Sequence, residues 1–316
     1  LEEIQEEWIC GFWRRVGALF IDSLILGAVG FTLGLFLENT FVQLGGWGRL
    51  IGFAISITYF GFMNSSIFNG QTFGKKILGI KVVDSTNSTI RLSKSLLRYS
   101  FLAIPFSLNG AQFTNEALLS YLMYPLSLIV FGGLFSISYL YIFNRVTRQS
   151  LHDLIVGTYV VNSDVSEQNL GEVWRPHLIV ISCLFILAGL LPVFTSDLAQ
   201  SEPFKGLLSS QEAISSNTSV KFASVVEGAT TFTSSNTGSS TTTYVNTQAF
   251  LYQNSVDDIE LAQQLAQTII SSYPESINKN VIQVTLTYGY DIGIWSQWNS
   301  YNHAFNPNEI QGLDKP

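Results

Sequence analysis

The stretch RRVGALFIDSLILGAVGFTLGLFL, residues 14–37, decides how this chain is read. Two arginines open it, and 22 residues follow with a single ionisable side chain, Asp22, among them. Roughly 20 apolar residues of helix cross the ~30 Å hydrocarbon core of a bilayer. Residues 16–37 therefore read as a membrane span, since a helix on a soluble core carries a polar face at this length. Similar runs follow at residues 50–68, 96–113, 117–143 and 178–195. The third is interrupted by Arg98, Pro105 and Asn109, and the fourth is long enough to tilt.

Composition supports this reading and places a boundary. Hydrophobic residues are 47% of the 316 and charged residues 12%, about half the globular norm for charge. From Asp197 onward there are eleven acids and four lysines, against twelve acids and twelve bases before it, so the whole formal charge of −7 sits in the C-terminal part. No basic patch stands clear of the membrane edges, which argues against nucleic acid as a partner. The cysteines are Cys10 and Cys183, so the C-terminal part must fold without disulfides. Residues 1–10 are acidic, unlike the basic start of a signal peptide.

Lys and Arg placement sets an expected orientation. Eleven of the twelve basic residues before residue 197, from Arg14 and Arg15 to Arg175, fall on one side of a five-span topology, and Arg49 alone falls on the other. The N-terminus is thus expected in the cytoplasm and the C-terminal domain outside. In that domain residues 209–219 read as linker and residues 231–243, rich in Ser and Thr, as a mobile loop. Residues 220–226 and 243–252 read as strands, and residues 257–272 as an amphipathic helix capped by Ser255. Ile282, Val284, Leu286, Tyr288 and Tyr290 alternate with polar residues as in a half-buried strand, and Trp295, Trp298 and Tyr301 read as core or sheet-edge aromatics.

An internal repeat lies between the spans. QTFGKKILGIKVV, residues 71–83, returns 78 residues later as QSLHDLIVGTYVV, residues 149–161. Both copies hold Gln (Gln71, Gln149), a hydroxyl residue, Gly (Gly79, Gly157) and Val-Val, and each follows a pair of spans. The expectation is a parallel repeat about an axis along the membrane normal, each copy a short helix broken at glycine and ending as a strand. Residues 80–84 and 158–162 are then expected side by side on the cytoplasmic face. Lys75 and Asp153 occupy equivalent positions and are expected to meet across the axis.

These residues resemble the RDD family of bacterial membrane proteins, named for one arginine and two aspartates. The resemblance rests on Arg15 through Asp22 entering the first span, Gly70-Gln71-Thr72 with Gly74-Lys75, and Gly79 through Asp84. Arg98 also fits, as do Ser150-Leu151-His152-Asp153-Leu154 with Gly157-Thr158. It covers about residues 8–165 and implies a bacterial inner-membrane protein, with transport, including cation/proton exchange, as its suggested role.

The fold expected is an α-helical membrane bundle of about five transmembrane helices in two pseudo-repeated halves, plus a small soluble α+β domain. Residues 1–165 form the four-helix membrane domain, 166–196 a connection and fifth span, and 197–316 the extracytoplasmic domain. Asp22 is the leading site candidate, because a carboxylate within a span costs on the order of 2.5–3.5 kcal/mol and needs a reason. It lies seven residues, about 10 Å, beyond Arg15. Arg98 and Asn64 are its candidate partners. Paired with Arg98 it is a structural cross-link; unpaired near water it carries protons or ions. His152 and Asp153 border the membrane, and adjacent positions on a helix point apart, so they are no preformed catalytic pair. Lys75 and Lys76 also suit anionic lipid headgroups. No phosphate loop, metal-ligand spacing, nucleophile motif or cofactor signature is recognisable, and an enzyme is not expected. Two functions remain: a small-cation or proton transporter using Asp22, with Arg15, Arg98 and Asp153 as gates or counter-ions, or a membrane anchor whose outer domain binds a partner complex. The bilayer is the expected surrounding, with a homodimer or larger membrane complex as a possible assembly.

Overall fold

The computed structural model describes residues 8–111, 113, 120–168, 172–234 and 238–312. Helix α1 (Phe12–Leu44) runs 33 residues, leaves helical geometry locally at Leu37, and ends at Gly45, whose φ of 54° suits glycine. A 3₁₀ turn leads into α2 (Arg49–Met63), which returns beside α1 and brings Tyr59 level with Asp22. The short α3 (Phe73–Ile77) and strand β1 (Ile80–Val83) come next, then α4 (Leu92–Leu108). Helix α5 (Met123–Phe143) contains a π-helical stretch, Leu128–Gly132. It is followed by the short α6 (Leu151–Val156), β2 (Tyr159–Asn162) and α7 (Arg175–Gln200).

Among the described residues, three helical stretches are long and apolar enough to cross a membrane: Phe12–Met63, Met123–Phe143 and Arg175–Leu198. Their outer faces are apolar; Leu35, Phe36, Ile186 and Leu187 are all exposed, as lipid-facing residues would be. The start of the span expected at residues 117–143 lies partly outside the described residues, as does part of the 96–113 run.

β1 and β2 pair antiparallel, with Ile80 opposite Asn162 and Val82 opposite Val160, so the two Val-Val segments lie side by side. Each strand follows a short helix closed by a glycine of positive φ, 63° at Gly79 and 62° at Gly157. Beneath the strand pair Cys10, Ala18, Ile80, Val82, Ile90 and Val160 form a small core.

The C-terminal part begins with α8 (Phe204–Ser215), where residues 209–219 had been read as linker. Leu207, Ser210 and Ile214, at helical spacing, turn a buried face to the sheet; the abundant serines conceal it in the sequence. The strands are β3 (Val220–Ser234), β4 (Gly238–Leu251), β5 (Val281–Asp291) and β6 (Ser296–Phe305), in that spatial order, with β4–β5 parallel and the other pairs antiparallel. The expected loop at 231–243 is instead the far end of the β3–β4 hairpin, in register from Glu227↔Val245 out to Ser234↔Gly238; residues 235–237 lie outside the described residues. Threonine's β-branch suits a pleated strand, and composition alone misled here. Helix α9 (Ile259–Ser272) is capped by Asp258, whose carboxylate accepts from Leu261 N–H at 2.9 Å, and not by Ser255. Its Leu261, Leu265 and Ile269 pack with α8 against Val245, Ala249, Ile282, Val284 and Leu286. A terminal turn, α10 (Pro307–Gly312), closes the described chain.

The other sheet face meets the bundle. The turn between β5 and β6 enters the cleft between α1 and α2, where Tyr290 and Ile292 pack with Phe41 and Val42 and, at the edge, Leu33, Ile51, Ile294 and Trp295. The close approach needs glycine on both helices. A Cβ on Gly34 would overlap the Tyr290 hydroxyl, and one on Gly52 would overlap the Ile292 carbonyl oxygen. Trp295 thus packs on α1, edge-on to Phe31, while Trp298 and Tyr301 stay half exposed on β6.

Candidate functional site

Asp153 organises the strand-pair end of the bundle. It occupies the first turn of α6, where Ser150 and Asp153 form a reciprocal capping box. Its side chain is fully buried and receives charge from two other helices. Arg15 of α1 donates from Nη2 to Oδ2 at 2.8 Å, and Arg98 of α4 donates to Oδ1 from Nε at 2.9 Å and Nη2 at 2.7 Å. Thr158 Oγ1 adds a donor at 3.0 Å, and Arg15 also donates to the Arg148 carbonyl. Burial alone would raise the Asp153 carboxyl, but the Arg98 and Arg15 guanidinium groups outweigh it and hold the group below the usual carboxylate range. One carboxylate thereby ties α1, α4 and α6 together.

Asp22 is buried, and among the described residues no cation lies within ion-pair distance of it. Tyr59 Oη donates to Oδ1 at 2.7 Å, Thr72 Oγ1 to Oδ2 at 2.5 Å, and the Gly74 backbone N–H to Oδ1 at 2.8 Å. Thr72 is also the N-cap of α3, accepting from Lys75 N–H at 3.2 Å. Asp22 thus clamps the start of α3 onto α1. The expected Asp22–Arg98 pair does not form, because Arg98 is fully engaged by Asp153. Asn64, the other expected partner, donates instead to the Phe60 carbonyl at 2.8 Å. Nor do Lys75 and Asp153 pair; the Lys75 ammonium lies 5.9 Å from the centre of the Phe60 ring.

The repeat glutamines do equivalent jobs. Gln71 Nε2 donates to the Ile80 carbonyl at 3.0 Å, and Gln149 Nε2 donates to the Thr158 carbonyl at 2.9 Å, each nine residues ahead. Both hold their helix against the following strand. Sequence reasoning missed Tyr59, Thr72 and Thr158 as partners of the aspartates. Thr72 was recoverable as a helix cap just before an apolar turn. Tyr59 left no such signal, since its role depends on the register between α1 and α2.

Asp22 and the arginine partners of Asp153 border a cavity of about 500 Å³. Arg15, Asp22, Asn64, Lys75, Arg98 and His152 border one end, and Leu19, Leu102, Phe106, Ile137, Tyr141 and Ile142 line the rest. His152 is buried, and its Nε2 stands 3.2 Å from Arg98 Nη2. A guanidinium only donates, so Nε2 accepts and the ring proton sits on Nδ1; burial lowers the basicity of the ring in the same sense. Lys75 borders the same space, and burial followed by repulsion from Arg98 pulls its ammonium below the ordinary lysine range.

No solved structure matches the chain. An uncharacterized Bacillus subtilis protein, YxaI, is 30% identical over 111 residues, 28% of this chain and 72% of its own length. A second uncharacterized protein of that organism, YckC, is 25% identical over 161 residues, 51% of this chain and 89% of its own. The sequence profile of the RDD family matches residues 9–157, the segment that carries Arg15, Asp22, Arg98 and Asp153 and most of the helical bundle. The chain is a membrane protein of the RDD family.

Proposed function

We propose that the bundle is a transport protein whose working site is the cavity bordered by Asp22, Lys75 and Arg98. One observation carries this reading: a space of about 500 Å³, within the roughly 300–1,000 Å³ of ligand sites, reaches the charged centre of the bundle. An anchor needs only packed helices and gives no reason for such a space. Transport in this reading is non-enzymatic. The exchangeable proton belongs to Lys75 and not to Asp22. Three donors satisfy both Asp22 oxygens, which supports a structural clamp, whereas Lys75 borders the cavity with a weakened hold on its proton.

The same reading places five crossings at α1, α2, α4, α5 and α7, in a bacterial inner membrane, with the strand-pair end in the cytoplasm. Exposed Lys76, Arg91 and Arg145 at that end support this. The matched hydrogen bonds of Gln71 and Gln149 support two related halves. The test is ion-coupled proton flux in proteoliposomes for the native protein, Lys75→Gln and Asp22→Asn. Flux abolished by Lys75→Gln with insertion intact is the expected result. Flux lost only in Asp22→Asn, with an unchanged thermal midpoint, would return the proton to Asp22. No flux above empty liposomes would sink transport.

A second reading rests on the sheet turn wedged between α1 and α2. That contact fixes the C-terminal domain to the membrane, which suits an accessory protein presenting it to a partner complex.

A further inference from the structure

The cavity has two unlike ends, and together they specify an occupant. Among the described residues, Arg15, Lys75 and Arg98 at the polar end face two carboxylates, Asp22 and Asp153. Both arginines are committed to Asp153. Among the described residues no carboxylate lies within ion-pair distance of Lys75. The end is therefore one positive charge in excess, and an anion is the species that balances it in a low-dielectric surrounding.

Among the described residues, two buried polar atoms at the same end lack partners. Asn64 is 1% exposed; its Nδ2 is spent on Phe60, and its Oδ1 accepts nothing. His152 is 4% exposed, and its Nδ1 is unpartnered. On the tautomer with its proton on Nδ1, His152 offers a donor and Asn64 an acceptor, and both line the same cavity as Lys75. A phosphate or carboxylate oxygen fits the donor and the cation, and a neighbouring hydroxyl or protonated oxygen fits the acceptor.

The remaining wall is mostly hydrocarbon, with Tyr99, Ser138 and Tyr141 as its hydroxyl-bearing members, and its rim faces the lipid. Leu19, Phe106 and Ile142 line the cavity and are also 48%, 50% and 54% exposed on the apolar surface of the bundle. The cavity therefore opens sideways into the bilayer core. A free phosphate ion would satisfy the polar end but leave the apolar length empty.

We propose that this cavity binds a membrane-borne anionic amphiphile, its head at Lys75, His152 and Asn64 and its acyl chain along Leu102, Phe106, Ile137 and Ile142. This names the substrate class of the transport site proposed above, and so rests on that reading for its physiological meaning, though not for the binding itself.

The test is equilibrium binding of radiolabelled dodecyl phosphate to the purified full chain in a non-ionic amphipol. One saturable site is expected, unaffected by inorganic phosphate and by dodecanol at tenfold excess, and weakly displaced by zwitterionic dodecylphosphocholine. Lys75→Gln should weaken binding at least tenfold, and Lys75→Arg should restore most of it. Ala103→Trp, which fills the apolar length, should abolish binding. If that variant misfolds, chain length replaces it, and hexyl phosphate should bind at least tenfold more weakly than dodecyl phosphate. Equal displacement by inorganic phosphate would make this a free-anion site and overturn the proposal, as would equal displacement by dodecanol or indifference to Lys75→Gln. Binding as expected with no proteoliposome flux sinks transport alone; flux without saturable binding sinks the amphiphile alone.

Discussion

The two ends of α1 are held by opposite chemistry. At the strand-pair end, Arg15 and Asp22 reach into polar networks that join α1 to α2, α3, α4 and α6. At the sheet end the same helix offers Gly30 and Gly34, and the chain that packs there is the apolar turn carrying Tyr290, Ile292 and Trp295. Charges in a low-dielectric setting are directional and costly to leave unpaired, so the first end is specified by partner identity. A glycine cleft imposes only shape, so the second is specified by absence of side chains. The lesson is that a helix nearly devoid of charge still carries two separate docking codes.

That contrast yields ordered tests. Asp153→Ala strands two buried guanidinium groups and should cost about 3–5 kcal/mol, the most of any single change considered, read as the loss of folded protein in a detergent unfolding titration. An equally stable variant would mean that water replaces the carboxylate and that the centre is not a cross-link. Gly34→Leu forces the Tyr290 turn out of its cleft and should cost about 1–3 kcal/mol, while making the C-terminal domain more readily released by protease near residue 196. Unchanged protease sensitivity would show that the wedge does not hold the sheet to the bundle.

Asp22→Asn keeps the shape but turns an amide N–H toward groups that are themselves donors, for a loss of about 1–3 kcal/mol. Asp22→Asn should loosen α3, seen as faster hydrogen exchange at Gly74, and should leave the sheet end untouched. The smallest stability effect belongs to Arg49→Ala. Its ion pair with Asp291, 2.6 Å long, is partly exposed and should contribute less than about 1 kcal/mol, measured as a shift in thermal midpoint.

Far from both ends, Glu227 gives a pH signature. Burial would raise its carboxyl, yet the Lys279 ammonium and the Tyr273 hydroxyl, both bonded to it, hold it below the ordinary glutamate range. A depressed folded-state value means that its stabilisation is present above the unfolded value and is lost as pH falls through the folded one. Native protein should lose sheet stability in that acidic window by near-ultraviolet dichroism, and Glu227→Gln should flatten the slope there. An identical acid profile for both would exclude Glu227 as the cause.

Much of the fold was legible because membrane helices announce themselves by length and apolarity, and strand β5 by strict alternation. The strand pair was legible too, since Gly79 and Gly157 stop their helices just before Val-Val. The serine-rich α8 and threonine-rich β3–β4 hairpin were not, because residues common in loops were carrying a helix face and a strand pleat. At the candidate site, Arg15, Asp22, Arg98 and Asp153 stood out as charges where charge is expensive. Their pairing did not, since Arg98 reaches Asp153 across 55 positions and Gly74 reaches Asp22 across 52.

The sequence by itself determined that the chain enters a bilayer, that a distinct acidic domain follows, and which ionisable residues lie within the apolar region. These are properties of composition and local period, and they hold however the helices are arranged. Only the tertiary structure decided that Asp153 and not Asp22 takes the arginines, that Lys75 borders a cavity with no carboxylate of the described residues within ion-pair distance, and that the sheet is wedged into the bundle. Pairing energies depend on distances of a few ångströms between segments far apart in the chain, and those distances are set by how the helices pack.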